Sequence, residues 1–161
     1  MHGHLVANHT ICTGCKTCTL VCSLSHHQIC NPALSRIHVL KWPDEGLDIP
    51  VVCRQCPKAP CARACPVEAI ARSPKTGAWL IDPHACIGCR ECVQACPFGA
   101  ISLHPETQEV LKCDLCGGDP QCAKFCEIGA LKFVPVGNIG YEHRRRQALQ
   151  GAKRGHESQL S

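Results

Sequence analysis

The stretch Cys86-Ile87-Gly88-Cys89-Arg90-Glu91-Cys92-Val93-Gln94-Ala95-Cys96-Pro97-Phe98-Gly99-Ala100-Ile101 sets four cysteines in the order C-x2-C-x2-C-x3-C, with proline behind the last. That run is the bacterial-type ligand pattern of [4Fe–4S] clusters. Three closely spaced thiolates on one curled loop can each reach a different iron of one cubane. The small pair Ile87-Gly88 lets backbone N–H groups approach the sulfurs. The fourth cysteine follows a further turn and faces away, so it serves the other cluster of a pair. The proline holds the residue before it in extended backbone and ends the turn.

Three further quartets surround this one. Cys12, Cys15, Cys18 and Cys22 repeat the same spacing, with Thr13-Gly14 in the loop. Cys53, Cys56, Cys61 and Cys65 read C-x2-C-x4-C-x3-C, followed by Pro66. Cys113, Cys116, Cys122 and Cys126 read C-x2-C-x5-C-x3-C. Of the 17 cysteines, only Cys30 is left over, and it is expected to be a small buried hydrophobe. Zinc sites use two C-x2-C knuckles separated by a longer loop, and redox disulfides need pairs; neither explains four dense quartets.

Composition agrees with a metal-filled interior. Without the cysteines, apolar residues make up about a third of the 161-residue chain, and only six residues are aromatic. A conventional core would be thin. No stretch approaches 18 uncharged apolar residues, so a membrane span is not expected. The opening Met1-His2-Gly3-His4 has no basic segment followed by an apolar one. The expected location is the cytoplasm, where thiols stay reduced. The formal charge is +4, but four oxidised clusters with their thiolates bring about −8. Nucleic-acid binding is therefore not inferred from the basic composition.

Three quartets end in one phrase: Cys65-Pro66-Val67-Glu68-Ala69-Ile70, Cys96-Pro97-Phe98-Gly99-Ala100-Ile101 and Cys126-Glu127-Ile128-Gly129-Ala130-Leu131. A period of about 30 residues marks a repeated unit of cluster loop, short helical turn and strand. Hairpins are expected from 70–72 to 78–82 and from 101–104 to 109–112, and a strand over Leu5-Val6-Ala7-Asn8. The expected fold is α+β, with small hairpins and short helices around four cubanes and little regular structure beyond them. The second and third quartets fall within a ferredoxin-sized stretch, so an inner two-cluster unit at about 50–104 is nested in an outer one from 1–49 plus 105–140. The two are related by a pseudo-twofold. The crossover rule then assigns Cys53, Cys56, Cys61 and Cys96 to one cluster, and Cys86, Cys89, Cys92 and Cys65 to a second. Cys12, Cys15, Cys18 and Cys126 take the third; Cys113, Cys116, Cys122 and Cys22 take the fourth.

The four quartets in order, the phrase Cys96-Pro97-Phe98-Gly99-Ala100-Ile101 and the run Lys112-Cys113-Asp114-Leu115-Cys116 resemble the four-cluster iron–sulfur subunits of the dimethyl sulfoxide reductase, formate hydrogenlyase and carbon monoxide dehydrogenase systems. The resemblance covers roughly residues 4 to 135. Within that family, His26-His27 and the run from Asn31 to Val39 are most similar to small electron-transfer subunits of tungsten aldehyde oxidoreductases. It implies single-electron relay for a tungsten-pterin partner, with a flavin subunit handling a nicotinamide. A hydrogenase, formate dehydrogenase or carbon monoxide dehydrogenase partner is the alternative. An iron–sulfur redox sensor is a further one, though no helix-turn-helix pattern is visible.

No nucleotide fingerprint or P-loop is present, and four clusters leave little room for a substrate pocket, so no catalytic residue is expected. His26, His27 and His84 read as surface or cap residues. Lys16, Arg54, Arg63 and Arg90 lie inside the cluster loops, where a cation would favour the reduced state. The segment 141–161 carries five basic residues, Arg144, Arg145, Arg146, Lys153 and Arg154, against Glu142 and Glu157, and reads as a polar tail. It could steer docking to a catalytic subunit. Head-to-tail association of copies would extend a row of clusters into a filament.

Overall fold

Strand β1 (Gly3–Ala7) finds its partner at the far end of the chain, in β8 (Leu131–Pro135). The two run antiparallel, with Leu5 opposite Phe133 and Ala7 opposite Leu131. This ladder closes the molecule in the computed structural model, which describes residues 2–138 together with 140, 141 and 144. The expected tail, with Arg145, Arg146, Lys153 and Arg154, lies outside the described residues apart from Tyr141 and Arg144.

Between those strands come three local hairpins. The first joins β2 (His38–Trp42) to β3 (Leu47–Val51) through a turn at Pro43-Asp44-Glu45-Gly46. Gly46 closes it at φ 62°, donating its N–H to Pro43 O at 3.2 Å. β4 (Ile70–Arg72) pairs with β5 (Trp79–Ile81), and β6 (Ile101–Leu103) with β7 (Val110–Lys112). Their turns are built alike. Gly77 and Gln108 are left-handed and donate to Ser73 O and His104 O. These two hairpins stand where the sequence puts them, with β5 a residue shorter at each end and β6 and β7 each a residue shorter at the turn.

Among the described residues helices are few. The longest of these, α1 (Thr17–His27), starts after left-handed Lys16 and ends at left-handed Gln28, whose N–H reaches Leu24 O. It buries Cys18, Thr19, Cys22 and Ser23 and leaves Leu20 and Leu24 exposed. An ordinary amphipathic helix buries its leucines. Here the inward face carries thiols, so the helix follows the needs of a cysteine-lined interior. α1 packs on α4 (Gln121–Lys124), and α2 (Pro60–Arg63) on α3 (Glu91–Gln94).

Two small cores result. One gathers Leu5, Cys18, Cys22, Ile37, Val39, Val52, Leu115, Cys122 and Leu131, with Cys12, Cys113 and Cys126 against them. The other gathers Ala59, Cys61, Ile70, Cys92 and Ile101, with Cys65 and Cys96 alongside.

The outcome is a small mixed α/β protein of short hairpins and few helices. Two features exceed the expectation of little regular structure: the 11-residue α1 and the β2–β3 hairpin. β1 also begins two residues earlier and ends one earlier than expected, because β8 sets its extent. Cys30 corrects a second expectation. It is exposed, beyond the end of α1, rather than buried.

Candidate metal centres

Each quartet begins on the same backbone device. The residue just before the second cysteine is left-handed in all four loops: Gly14, Gln55, Gly88 and Leu115. Side chains other than glycine occupy this region at a cost of about 1–2 kcal/mol. The curl they impose brings the first three cysteines of a quartet around one point.

The ends of the quartets share a second device. In the phrase that follows the fourth cysteine, Glu68, Gly99 and Gly129 are left-handed, at φ 51°, 58° and 66°. The chain turns back there, and a backbone N–H meets the sulfur. Ala69 donates to Cys65 Sγ at 3.2 Å, Ala100 to Cys96 Sγ at 3.4 Å, and Leu131 to Cys126 Sγ at 3.3 Å. Cys22 sits inside α1 and cannot use that turn. Its donor is the N–H of Arg36, at 3.3 Å. Such bonds favour the negatively charged sulfur.

The cavities draw on more than one quartet. Cys12, Cys15, Cys18 and Cys126 line one of about 210 Å³. Cys22, Cys113, Cys116 and Cys122 line another, with Cys53 at its edge. Cys65, Cys86, Cys89 and Cys92 line a third. Cys61 lies close enough to Cys53 and Cys96 to feel their charge. Sulfurs of neighbouring groups also feel one another's charge: Cys122 and Cys18, Cys113 and Cys53, and Cys92 and Cys61. Cys15 and Cys89 are exposed, as is Cys30, while Cys18, Cys22, Cys61, Cys92 and Cys122 are buried.

Burial pushes the Cys18 thiol up to about 11 and the Cys113 thiol up to about 12, and raises Cys122 further still. Thiols in that state bind metal only when a cationic core compensates the charge. Cys15 goes the other way, because the Thr17 hydroxyl and N–H donate to it. Burial also opposes ionisation of Cys22, but His26, the Arg36 N–H and Ser35 outweigh it. A donor set made of thiolates, several of them supported by N–H groups, fits [4Fe–4S] chemistry.

Two side chains beside the sulfurs escape a reading of sequence. His26 is no surface residue. Its ring stands 3.9 Å from Cys22 Sγ and pairs with Asp114 at 3.0 Å. The Asp114 bond, then Cys22, raises its pKa to about 10. Arg36 completes the group at 2.7 Å from the same carboxylate, and these partners hold Asp114 well below the usual carboxylate range despite burial. His84, by contrast, is exposed as expected, its N–H donating to Asp82. The second is Lys112, buried, with Nζ 3.6 Å from Cys53 Sγ. The four loop cations, Lys16, Arg54, Arg63 and Arg90, are exposed, and Arg54 lies over the Phe98 ring. The signal for Lys112 was its place directly before Cys113 at the end of a strand; nothing local marked its reach to a different loop.

Comparison with known proteins adds the family. Residues 46–136 match the model of the 4Fe-4S dicluster domain, and residues 9–25 match a 4Fe-4S binding domain. The polyferredoxin-like subunit of aliphatic sulfonate oxidoreductase from Pyrococcus furiosus is 43% identical over 127 residues, covering 76% of this chain and 72% of that protein. The putative electron transport protein YsaA of Escherichia coli is 38% identical over 159 residues, covering 91% and 98%. In structure, a chain of the active site complex BamBC of benzoyl coenzyme A reductase superposes with a TM-score of 0.51 at 23% identity, covering 92% and 89%, which speaks to the fold. The relatives carry names of electron-transport proteins and subunits rather than catalysts. Among the described residues no helix is long and apolar enough to cross a membrane. With its cysteine-lined cavities, its thiol-directed N–H groups and these matches, the chain belongs to the 4Fe-4S dicluster domain family, as an iron–sulfur electron-transfer protein that binds multiple [4Fe–4S] clusters.

Proposed function

We propose that the chain is the electron-relay subunit of an oxidoreductase complex and holds four [4Fe–4S] clusters on sixteen cysteines. The carrying observation is the mixed origin of the cavities: three cysteines of one quartet meet the fourth of another. It supports the ligand sets Cys12, Cys15, Cys18 and Cys126; Cys113, Cys116, Cys122 and Cys22; and Cys86, Cys89, Cys92 and Cys65. The remaining cysteines, Cys53, Cys56, Cys61 and Cys96, make the fourth set, with Cys61 near Cys53 and Cys96. The same pairing supports an inner unit nested in an outer one, since β1 and β8, at the two ends of the outer part, pair with each other. Bound clusters would supply one-electron carriers.

The chain's own residues then set the route. Cys18 and Cys122, Cys53 and Cys113, and Cys61 and Cys92 lie near enough to feel one another's charge, which supports an arrangement of the four sets in one row. Its ends are the sets containing Cys15 and Cys89, both exposed. Apolar side chains are exposed beside each end: Ile11 and Phe125 at one, Val67 and Ile87 at the other. These are the faces for electron entry and exit.

The partner we favour is a tungsten-pterin aldehyde oxidoreductase, with a flavin subunit for nicotinamide; a hydrogenase, formate or carbon monoxide dehydrogenase is the alternative. The naming of a relative as an oxidoreductase subunit supports a catalytic partner of some kind. Anaerobic purification of the native complex, with identification of the copurifying subunits and their metals, tests this. Tungsten in the complex is expected, and a partner without tungsten or molybdenum would overturn the aldehyde oxidoreductase reading. Light scattering of the complex tests self-association: a mass growing with concentration supports stacked copies. For the ligand sets, Cys65→Ser is expected to alter the EPR signal of the same cluster as Cys89→Ser. Signals from two different clusters would sink the crossover.

A further inference from the structure

The strand β7 delivers Lys112 into the interior, 6% exposed, and its ammonium ends among acceptors from three separate segments. Nζ donates to Trp79 O at 2.7 Å and to Cys53 Sγ at 3.6 Å, and lies 3.5 Å from Cys113 O. Among the described residues no carboxylate forms an ion pair with it, whereas Lys41, Arg36 and Lys124 each have one. A buried cation without a counter-charge is costly. Sulfurs able to carry negative charge stand beside it: Cys53, at 3.6 Å, and Cys61, where the Lys112 charge favours the thiolate.

Neighbours hold the lysine in place. Gln55, 1% exposed, donates from Nε2 to Cys113 O and accepts the Trp79 N–H on Oε1. Trp79 in turn donates its indole N–H to Cys56 O. The same small region joins the loop of Cys53 to the loop of Cys113, so Lys112 stands at the junction of two cysteine sets.

We propose that Lys112 is a positioning residue acting as the fixed counter-charge of the set Cys53, Cys56, Cys61 and Cys96, favouring its reduced state at the midpoint of the row. The inference rests on the four-cluster reading. Adding one electron makes the set more negative; the electron comes from the adjoining cluster, and no bond or proton changes hands. A unit charge roughly 10 Å from the added electron, at an effective dielectric constant of about 20, is worth about tenfold in electron affinity. For a one-electron couple that is about 59 mV.

The test is dithionite titration of the whole protein, monitored by EPR, for Lys112→Met, Lys112→Gln and Lys112→Arg, with iron and sulfide counted on each sample. Full iron with one midpoint lowered by about 59 mV in Met and Gln, a tenfold loss of electron affinity, and restored in Arg, is the expected result. All midpoints unchanged at full iron would overturn the proposal. If Met and Gln lose one cluster's iron and Arg keeps it, charge is again the cause. Loss that Arg does not repair means that Lys112 acts through packing, and the proposal fails. The four-cluster reading fails separately, by a wild-type protein without about 16 irons.

Discussion

Glu68 shows how a single residue serves the sulfur ahead of it. It sits at φ 51°, where the equivalent positions hold Gly99 and Gly129. The position is exposed, so the side chain has no packing role to lose. Glu68→Gly should stabilise the holoprotein by about 1 kcal/mol, since only the left-handed penalty is removed. Gly99→Ala should cost about the same, because nothing within 4 Å of its added Cβ would clash. Anaerobic thermal unfolding measures both; a destabilised Glu68→Gly protein would contradict the account. Cys30→Ala should leave iron and sulfide unchanged, since Cys30 is exposed and lines none of the cysteine cavities described. The repeated phrase was legible in sequence, but its use was not. That Ala69, Ala100 and Leu131 aim their N–H groups at sulfur depends on φ angles no residue name prints, least of all glutamate.

Elements follow the same logic of service to the thiols. β1 is specified by β8, and Gly3 leaves no room for a side chain against it: a Cβ there would run into the Phe133 ring and lie 2.9 Å from Val134 O. Gly3→Ala should therefore destabilise by about 1–3 kcal/mol, and the double variant with Phe133→Leu should recover part of it. Unfolding followed by circular dichroism measures the pair; no recovery would place the clash on the backbone oxygen. Local hairpins were readable because turn residues and strands are contiguous. α1 was missed because its buried face is Cys18, Thr19, Cys22 and Ser23, which carries no apolar period to detect.

At the scale of the whole molecule, two small cores share their volume with thiols, so the metal and the fold are coupled. Anaerobic removal of iron by a chelator should abolish the cooperative unfolding transition; an apo-protein melting like the holoprotein would show a self-sufficient core. Truncation after Gly140 should keep the full iron count, since every candidate ligand precedes it. Sequence alone determined that cysteines 3 to 6 positions apart share a loop, because short spacers hold thiols together whatever the fold. It also determined the family chemistry and the hairpins β4–β5 and β6–β7. Only the tertiary structure decided that His26 meets Asp114, 88 positions away, and that Lys112 reaches Cys53, 59 positions away. Such contacts come from packing between distant segments, and electrostatics acts through space rather than along the chain.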